Sequence, residues 1–210
     1  MGSDIHYKFQ KKVDDKWVDL DLEKDEWGDY KPPFCIGRSY LLFAVLAGVR
    51  NGRGFAGCYT HEPVVPISEP RGLPDDISVL GYENEWGDFV DYFGEHSQSH
   101  LKSTEILEYF KSDKVVAHQG VITMEDYLNG EGGAEPERYC SAYFGSDVRE
   151  FDATESVLTP EDVHKYTHVR VQWDMSVTKR LDYFRAMIQS LHESFGEVRF
   201  LQVDRHGHQH

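Results

Sequence analysis

The feature that most constrains this chain lies near its C-terminal end. Between residues 177 and 195 the apolar side chains Val177, Leu181, Phe184, Ile188, Leu191 and Phe195 recur at alternating spacings of four and three. That rhythm lines one face of a helix. Ser176 offers an N-cap hydroxyl and Gly196 a stop. On both sides the period changes to two. Val169, Val171 and Trp173 share one face of a strand over Thr167–Met175, and Val198, Phe200, Gln202 and Asp204 alternate with Arg199, Leu201 and Val203 in a closing strand. A one-sided helix between two strands has to bury its apolar face against a sheet.

The N-terminal part adds strands before it adds a helix. Ile5, Tyr7 and Phe9 alternate with polar neighbours in a strand from Ile5 to Val13, Asp14-Asp15-Lys16 turns it, and Trp17–Leu20 returns. Asp21–Pro33 reads as an acidic surface loop. Ser39 caps a helix over Tyr40–Val49 that is apolar nearly all round and so belongs in the core, with Gly52 and Gly54 beyond its end. Asn51–Ser78 reads as a long ordered loop, Glu83–Phe93 and Ser103–Phe110 as short helices, and Lys114–Met124 as a strand. The sum is an α+β fold: a mixed or antiparallel sheet with a buried N-terminal helix and a long amphipathic C-terminal helix packed on it. One domain, 1–210, is expected, with a flexible acidic loop at 129–136 and a frayed tail at 205–210.

Composition narrows the setting. With 40% apolar and 13% aromatic residues among 210, the chain can bury roughly 70% of its unfolded surface. No apolar run approaches the twenty residues or so of a membrane span, and the start, with Asp4, lacks the apolar core of a signal peptide. Cys35, Cys58 and Cys140 form no close pair, which points to a reducing compartment, the cytoplasm. The net charge of −15 opposes non-specific binding to nucleic acid. Yet between residues 36 and 74 the only ionic side chains are Arg38, Arg50, Arg53 and Arg71 against Glu62 and Glu69. A cationic island of arginine sits in an anionic chain.

Four constellations carry candidate chemistry. Asp4 and His6 project to one face of a strand, where a carboxylate beside an imidazole suits general base work or ligation; two solvated groups at a strand edge are the plainer alternative. Arg50-Asn51-Gly52-Arg53-Gly54 offers guanidinium forks and close backbone approach to an anion, although such arginines also satisfy helix carbonyls. Glu69 and Arg71 ride on a turn stiffened by Pro70 and Pro74, a binding loop or a structural one. His96-Ser97-Gln98-Ser99-His100 places two histidines four apart but lacks the glutamate of the H-E-x-x-H zinc motif. His206, His208 and His210 read as a tail, and His61, His118, His164, His168 and His192, without a partner pattern, as surface or core filler. No metal ligand set and no cofactor is assigned, and the oligomeric state stays open.

These strings also occur in a recognisable order. Met1-Gly2-Ser3-Asp4-Ile5-His6, then Val49-Arg50-Asn51-Gly52-Arg53-Gly54-Phe55-Ala56-Gly57, then Glu69-Pro70-Arg71-Gly72-Leu73-Pro74, then His96-Ser97-Gln98-Ser99 resemble a family of phage and prophage proteins over about residues 1–110. The family pattern has Cys where Ser3 stands, His where Gln98 stands and Thr where Lys102 stands. The resemblance implies a phage setting, with the cytoplasm of an infected bacterium as the location; it does not imply a reaction.

The expectation is a single pocket that binds a small phosphate-bearing, nucleotide-type ligand and sequesters a host immune signal. Asp4, His6, Arg50, Asn51, Arg53, Glu69, Arg71, His96, Ser97 and Ser99 would bind it, with Tyr7, Tyr40 or Phe55 to stack a base. One alternative is a hydrolase or phosphodiesterase using His6 or His96 as acid–base, with or without a metal. Another is an acidic inhibitor of a host enzyme.

Overall fold

The computed structural model describes residues 3–26, 28–77, 81–83, 86–91, 96–131, 134–143 and 145–206. The chain opens with β1 (Ser3–Val13) and β2 (Lys16–Asp19), an antiparallel hairpin whose turn residues Asp14 and Asp15 both have positive φ, 47° and 64°. Two such residues in succession match the right-handed twist of the flanking strands. Helix α1 (Tyr40–Ala47) follows, with the Ser39 hydroxyl accepting from the Leu42 amide and Gly48 closing it in the left-handed region. A long loop leads to a separate hairpin of β3 (Gly81–Glu83) and β4 (Phe89–Asp91), then to β5 (His96–Lys102) and α2 (Ser103–Tyr109). Next come β6 (Val115–Thr123), the short α3 (Met124–Asp126) running into a π turn at Tyr127–Glu131, and β7 (Glu150–Asp152). The chain closes with α4 (Pro160–Lys165), β8 (His168–Ser176), α5 (Val177–Arg180), α6 (Asp182–Phe195) and β9 (Val198–His206).

The strands form two sheets besides the β3–β4 hairpin. The first, ordered β2-β1-β9-β5, is antiparallel throughout; the second, β6-β8-β7, pairs β6 with β8 antiparallel and β7 with β8 parallel. Alternation decides what each face does. Phe9 of β1, Phe200 of β9 and Leu101 of β5 stand in one cross-strand row, fully buried, and meet Leu42–Leu46 of α1 and Leu181, Phe184 and Ile188 from the C-terminal helices. Val169, Val171, Trp173 and Met175 of β8 form a second core with Ile122, Met124 and Phe151. Leu41 and Val116 pack against both cores.

The expected arrangement of the fold is corrected here. The chain begins with a strand, so no buried helix stands at its N-terminus; the alternation of Ile5, Tyr7 and Phe9 governs that end. The β-structure is divided between two sheets, because β9 bonds to β1 and β5 while β8 bonds to β6 and β7. The long C-terminal helix is broken at Leu181 (φ −106°, ψ 18°), leaving 14 residues in its longer piece. The apolar stripe runs through that break undisturbed, with Val177 and Leu181 both buried, so periodicity could not register it. Glu83–Phe93, expected as helical, contains a turn with Gly87 at φ 81° between β3 and β4. The flexible loop at 129–136 and the tail at 205–210 fall partly outside the described residues, which omit 132–133 and 207–210. Among the described residues no helix is long and apolar enough to cross a membrane.

Candidate functional site

The outer face of the first sheet, turned away from the main core, gathers most of the sequence motifs. β9 stands between β1 and β5, with His6 opposite Val203 and both Ile5 and His96 opposite Asp204. The backbones of positions 4–6 and 96–99 therefore lie at the same end of the sheet, two strands apart. The 68–77 loop crosses this face. The Gly72 amide donates to the Gln98 carbonyl (2.8 Å), the Arg71 amide to the Ser99 hydroxyl (3.3 Å), and Leu73 and Ile77 pack on Leu201 and Val203. Ser97 adopts φ 55° where the register of β5 shifts, and Ser99 is fully buried. Three of the four constellations thus meet at one sheet end. The side chains of Asp4 and His96 lie outside the described residues.

Two arginines on this face are paired with carboxylates of the protein. Arg71 makes a bidentate pair with Glu105 (3.0 and 2.7 Å). Arg199, buried, makes another with Asp76 (2.8 and 2.7 Å), donates twice to the Gln10 side chain (2.8 and 2.6 Å) and stacks over Trp17 at 4.9 Å. His6 Nδ1 lies 3.7 Å from the Asp29 carboxylate, an ion-pair distance. Glu69 is exposed at the start of the loop.

The arginine–glycine string sits elsewhere, at the margin of the second sheet. Arg50 Nη1 donates to the Gly54 carbonyl (3.2 Å) and its guanidinium lies 5.2 Å from the Tyr40 ring centre. Arg53, exposed, reaches the Gly57 carbonyl (3.3 Å). Asn51 clamps Val64, accepting its amide (2.8 Å) and donating to its carbonyl (2.6 Å). Together with the bond from the Thr60 amide to the Gly52 carbonyl (3.0 Å), this clamp doubles the loop back on itself. Gly52 is required there: φ is 80°, and a β-carbon would come within 2.8 Å of the His61 carbonyl.

That doubled loop lays residues 60–62 along the free edge of β6. The Gln119 amide donates to the Thr60 carbonyl and the Glu62 amide to the Ala117 carbonyl, both at 2.8 Å. These bonds frame His61 and His118 as a directly opposed antiparallel pair, whose side chains share a face. Their rings are near-parallel, with centres 6.2 Å apart. Trp173, opposite His118 on β8, lies 4.7 Å from it, and Tyr139 meets both edge-on at 5.3 and 4.9 Å. Tyr139 is held close by the absence of a side chain at Gly120, where a β-carbon would fall 2.8 Å from its ring.

A cavity of about 380 Å³ opens beside this pair, between the segment that starts α1, the irregular 134–143 segment and α5. Among the described residues its charged lining groups are Arg38 and Arg180, with no aspartate or glutamate. Hydroxyls of Ser39, Thr60 and Ser141 and the phenols of Tyr40, Tyr139 and Tyr183 add polar edges. Arg180, the last residue of α5, donates to the Tyr139 hydroxyl (3.0 Å) and reaches Glu135 at 3.4 Å. Burial pushes the His118 pKa down to about 4, helped by the charges of His61 and Arg180, and burial lowers that of His61, opposed by its bond to the Glu62 carbonyl. Both imidazoles are therefore neutral at pH 7. Burial raises the pKa values of Tyr139 and Tyr183, so both remain phenols.

His61 and His118, without a partner pattern in the sequence, are buried side by side, and for His118 the sequence holds a signal. On β6, position 118 shares the inward face with Val116, Gly120 and Ile122. A histidine and a glycine in succession on an apolar face signal room beside a polar group. His61 carried no such signal, because its partner is set by the folding back of the loop. Among the described residues, no group of three or more His, Cys, Asp or Glu is placed to hold a metal ion. No protein-family model, no curated protein and no solved structure matches this chain.

Proposed function

We propose that this protein captures a small phosphate-bearing, nucleotide-type ligand in the cavity beside His61 and His118. One observation carries the reading: in a chain of net charge −15, this cavity is lined by two arginines and, among the described residues, by no carboxylate, Glu135 reaching Arg180 only at 3.4 Å from outside the lining. Arginine's planar fork matches phosphate oxygens, and a partly enclosed site strengthens the attraction. The volume lies at the lower end of the range for small-molecule sites, of order 300–1,000 Å³, and the tyrosine rings provide flat apolar surface for a base. In the phage setting that the resemblance implies, the captured ligand is a host nucleotide signal and the activity is sequestration.

Native mass spectrometry of protein purified from infected cells tests this. The expected result is one intact phosphate-bearing ligand per chain, recovered unaltered on denaturation, with roughly tenfold less carried by Arg180→Ala. An empty protein, or equal loading of the variant, overturns it.

A hydrolase is the second reading, at a separate site on the outer face of the first sheet, because His6 Nδ1 stands 3.7 Å from the Asp29 carboxylate, near enough for a small shift to pair them. Nucleotide turnover that is lost in His6→Ala, while loading of the cavity is unchanged, decides for it.

A further inference from the structure

The inner wall of the cavity holds a hydrogen-bonding deficit that the arginines do not address. His61 Nδ1 lies 2.8 Å from the Glu62 carbonyl oxygen. A carbonyl only accepts, so Nδ1 carries the proton and Nε2 presents a lone pair. His61 is 2% exposed, and its Nε2 has no hydrogen-bond partner in the protein. Two neighbouring ring nitrogens, His118 Nδ1 and Trp173 Nε1, are also buried without one. Leaving such a bond unmade is destabilising, and three unmade together beside a cavity call for an explanation. Protonation does not relieve His61, since burial disfavours the imidazolium and Arg180 already contributes positive charge at the rim. The unfilled position calls for a donor.

Resting on the phosphate-site reading above, we propose that the ligand carries, at the end away from its phosphate, a planar ring whose N–H donates to His61 Nε2. The matching class is a nucleoside phosphate with an imide or lactam base, uracil-like or guanine-like. The rim arginines supply affinity for the phosphate; His61 supplies discrimination between bases. A site built around a ring N–H rejects an analogue lacking it more strongly than an apolar pocket rejects a misfit, because the buried acceptor is again left unpaired.

Calorimetric titration of the full chain with five probes tests this. The probes are uridine and guanosine 5′-monophosphates, their N3-methyl and N1-methyl counterparts, and ribose 5-phosphate. Methylation removes the donor and little else, so at least one parent nucleotide should bind about tenfold or more tighter than its methylated form. His61→Phe should erase that difference; Arg180→Ala should weaken all the probes. Equal binding of both methylated and parent forms by the natural protein, a comparison needing no variant, overturns the proposal. So does discrimination that survives His61→Phe. Ribose 5-phosphate binding that is absent, or indifferent to Arg180→Ala, overturns the phosphate reading instead, and this proposal with it.

Discussion

The outer face of the first sheet and the cavity beside the second hold similar inventories of arginine, histidine and hydroxyl groups, but they dispose of them differently. Under the 68–77 loop, Arg71 is matched by Glu105, and Arg199 by Asp76 and Gln10. Beside β6, Arg180 has only the partly exposed Glu135 as a carboxylate partner, at 3.4 Å, and three neighbouring ring nitrogens, His61 Nε2, His118 Nδ1 and Trp173 Nε1, are buried without a protein partner. On the first sheet Ser68 Oγ and Gln202 Oε1 share that condition, beside the paired arginines. A buried polar group with partners specifies the fold; one without them waits for something to arrive. The motif-rich region therefore reads as a fastening, and the region without motifs as a receptacle.

The sharpest way to test this contrast is pH. A histidine kept neutral by burial takes no proton in the folded state until about pH 4, whereas in the unfolded chain it does so below about 6.5. Stability should therefore fall as pH drops through that window, by about 3 kcal/mol for His118, with His61 acting in the same direction. Urea unfolding of the natural protein and of His118→Phe, at steps from pH 7 to pH 4, should show a shallower decline in the variant; parallel curves would mean the imidazole is hydrated.

Next in size is Arg199→Met. It strands the Gln10 oxygen and unties Asp76, but Asp76 is half exposed and can rehydrate, so the expected loss is about 2 kcal/mol. Chemical denaturation reads it, and ribose 5-phosphate binding should be unchanged. The smallest effect belongs to Arg71→Ala. Its pair with Glu105 is about one-third exposed on both sides, and its removal should change stability by less than about 1 kcal/mol. If that substitution abolished ligand binding, the division of roles between the two regions would be reversed.

Local signals in the sequence were dependable where one segment contains its own reasons. Ser39 and Ser176 cap as their positions imply, and the strands at 115–123 and 168–176 follow their alternation. The break at Leu181 was hidden because both sides of it bury the same stripe. The assignment of strands to two sheets was hidden too, since alternation gives a strand its faces and not its neighbours. The candidate site was the least legible part. His61, His118, Tyr139 and Arg180 come from four separate segments, and only Asn51's grip on Val64 and the return of the loop bring the first to the second. The backbones at 4–6 and 96–99 lie at one end of the first sheet with β9 between them, Arg71 reaches Ser99 there, and 50–53 stands at the other sheet.

The position of β9 has a bearing on how the molecule is assembled. It lies in the middle of the first sheet, between β1, which precedes it by almost the whole length of the chain, and β5, which precedes it by about half. During synthesis the β1–β2 hairpin and β5 emerge with their inner edges bare, and neither can be joined until residues 198–206 arrive. Such pairing, distant along the sequence, is slow to form and leaves sticky edges exposed in the meantime. A nascent chain of this kind is a natural client for a chaperone, and losing a few residues at its far end would undo the arrangement at its beginning.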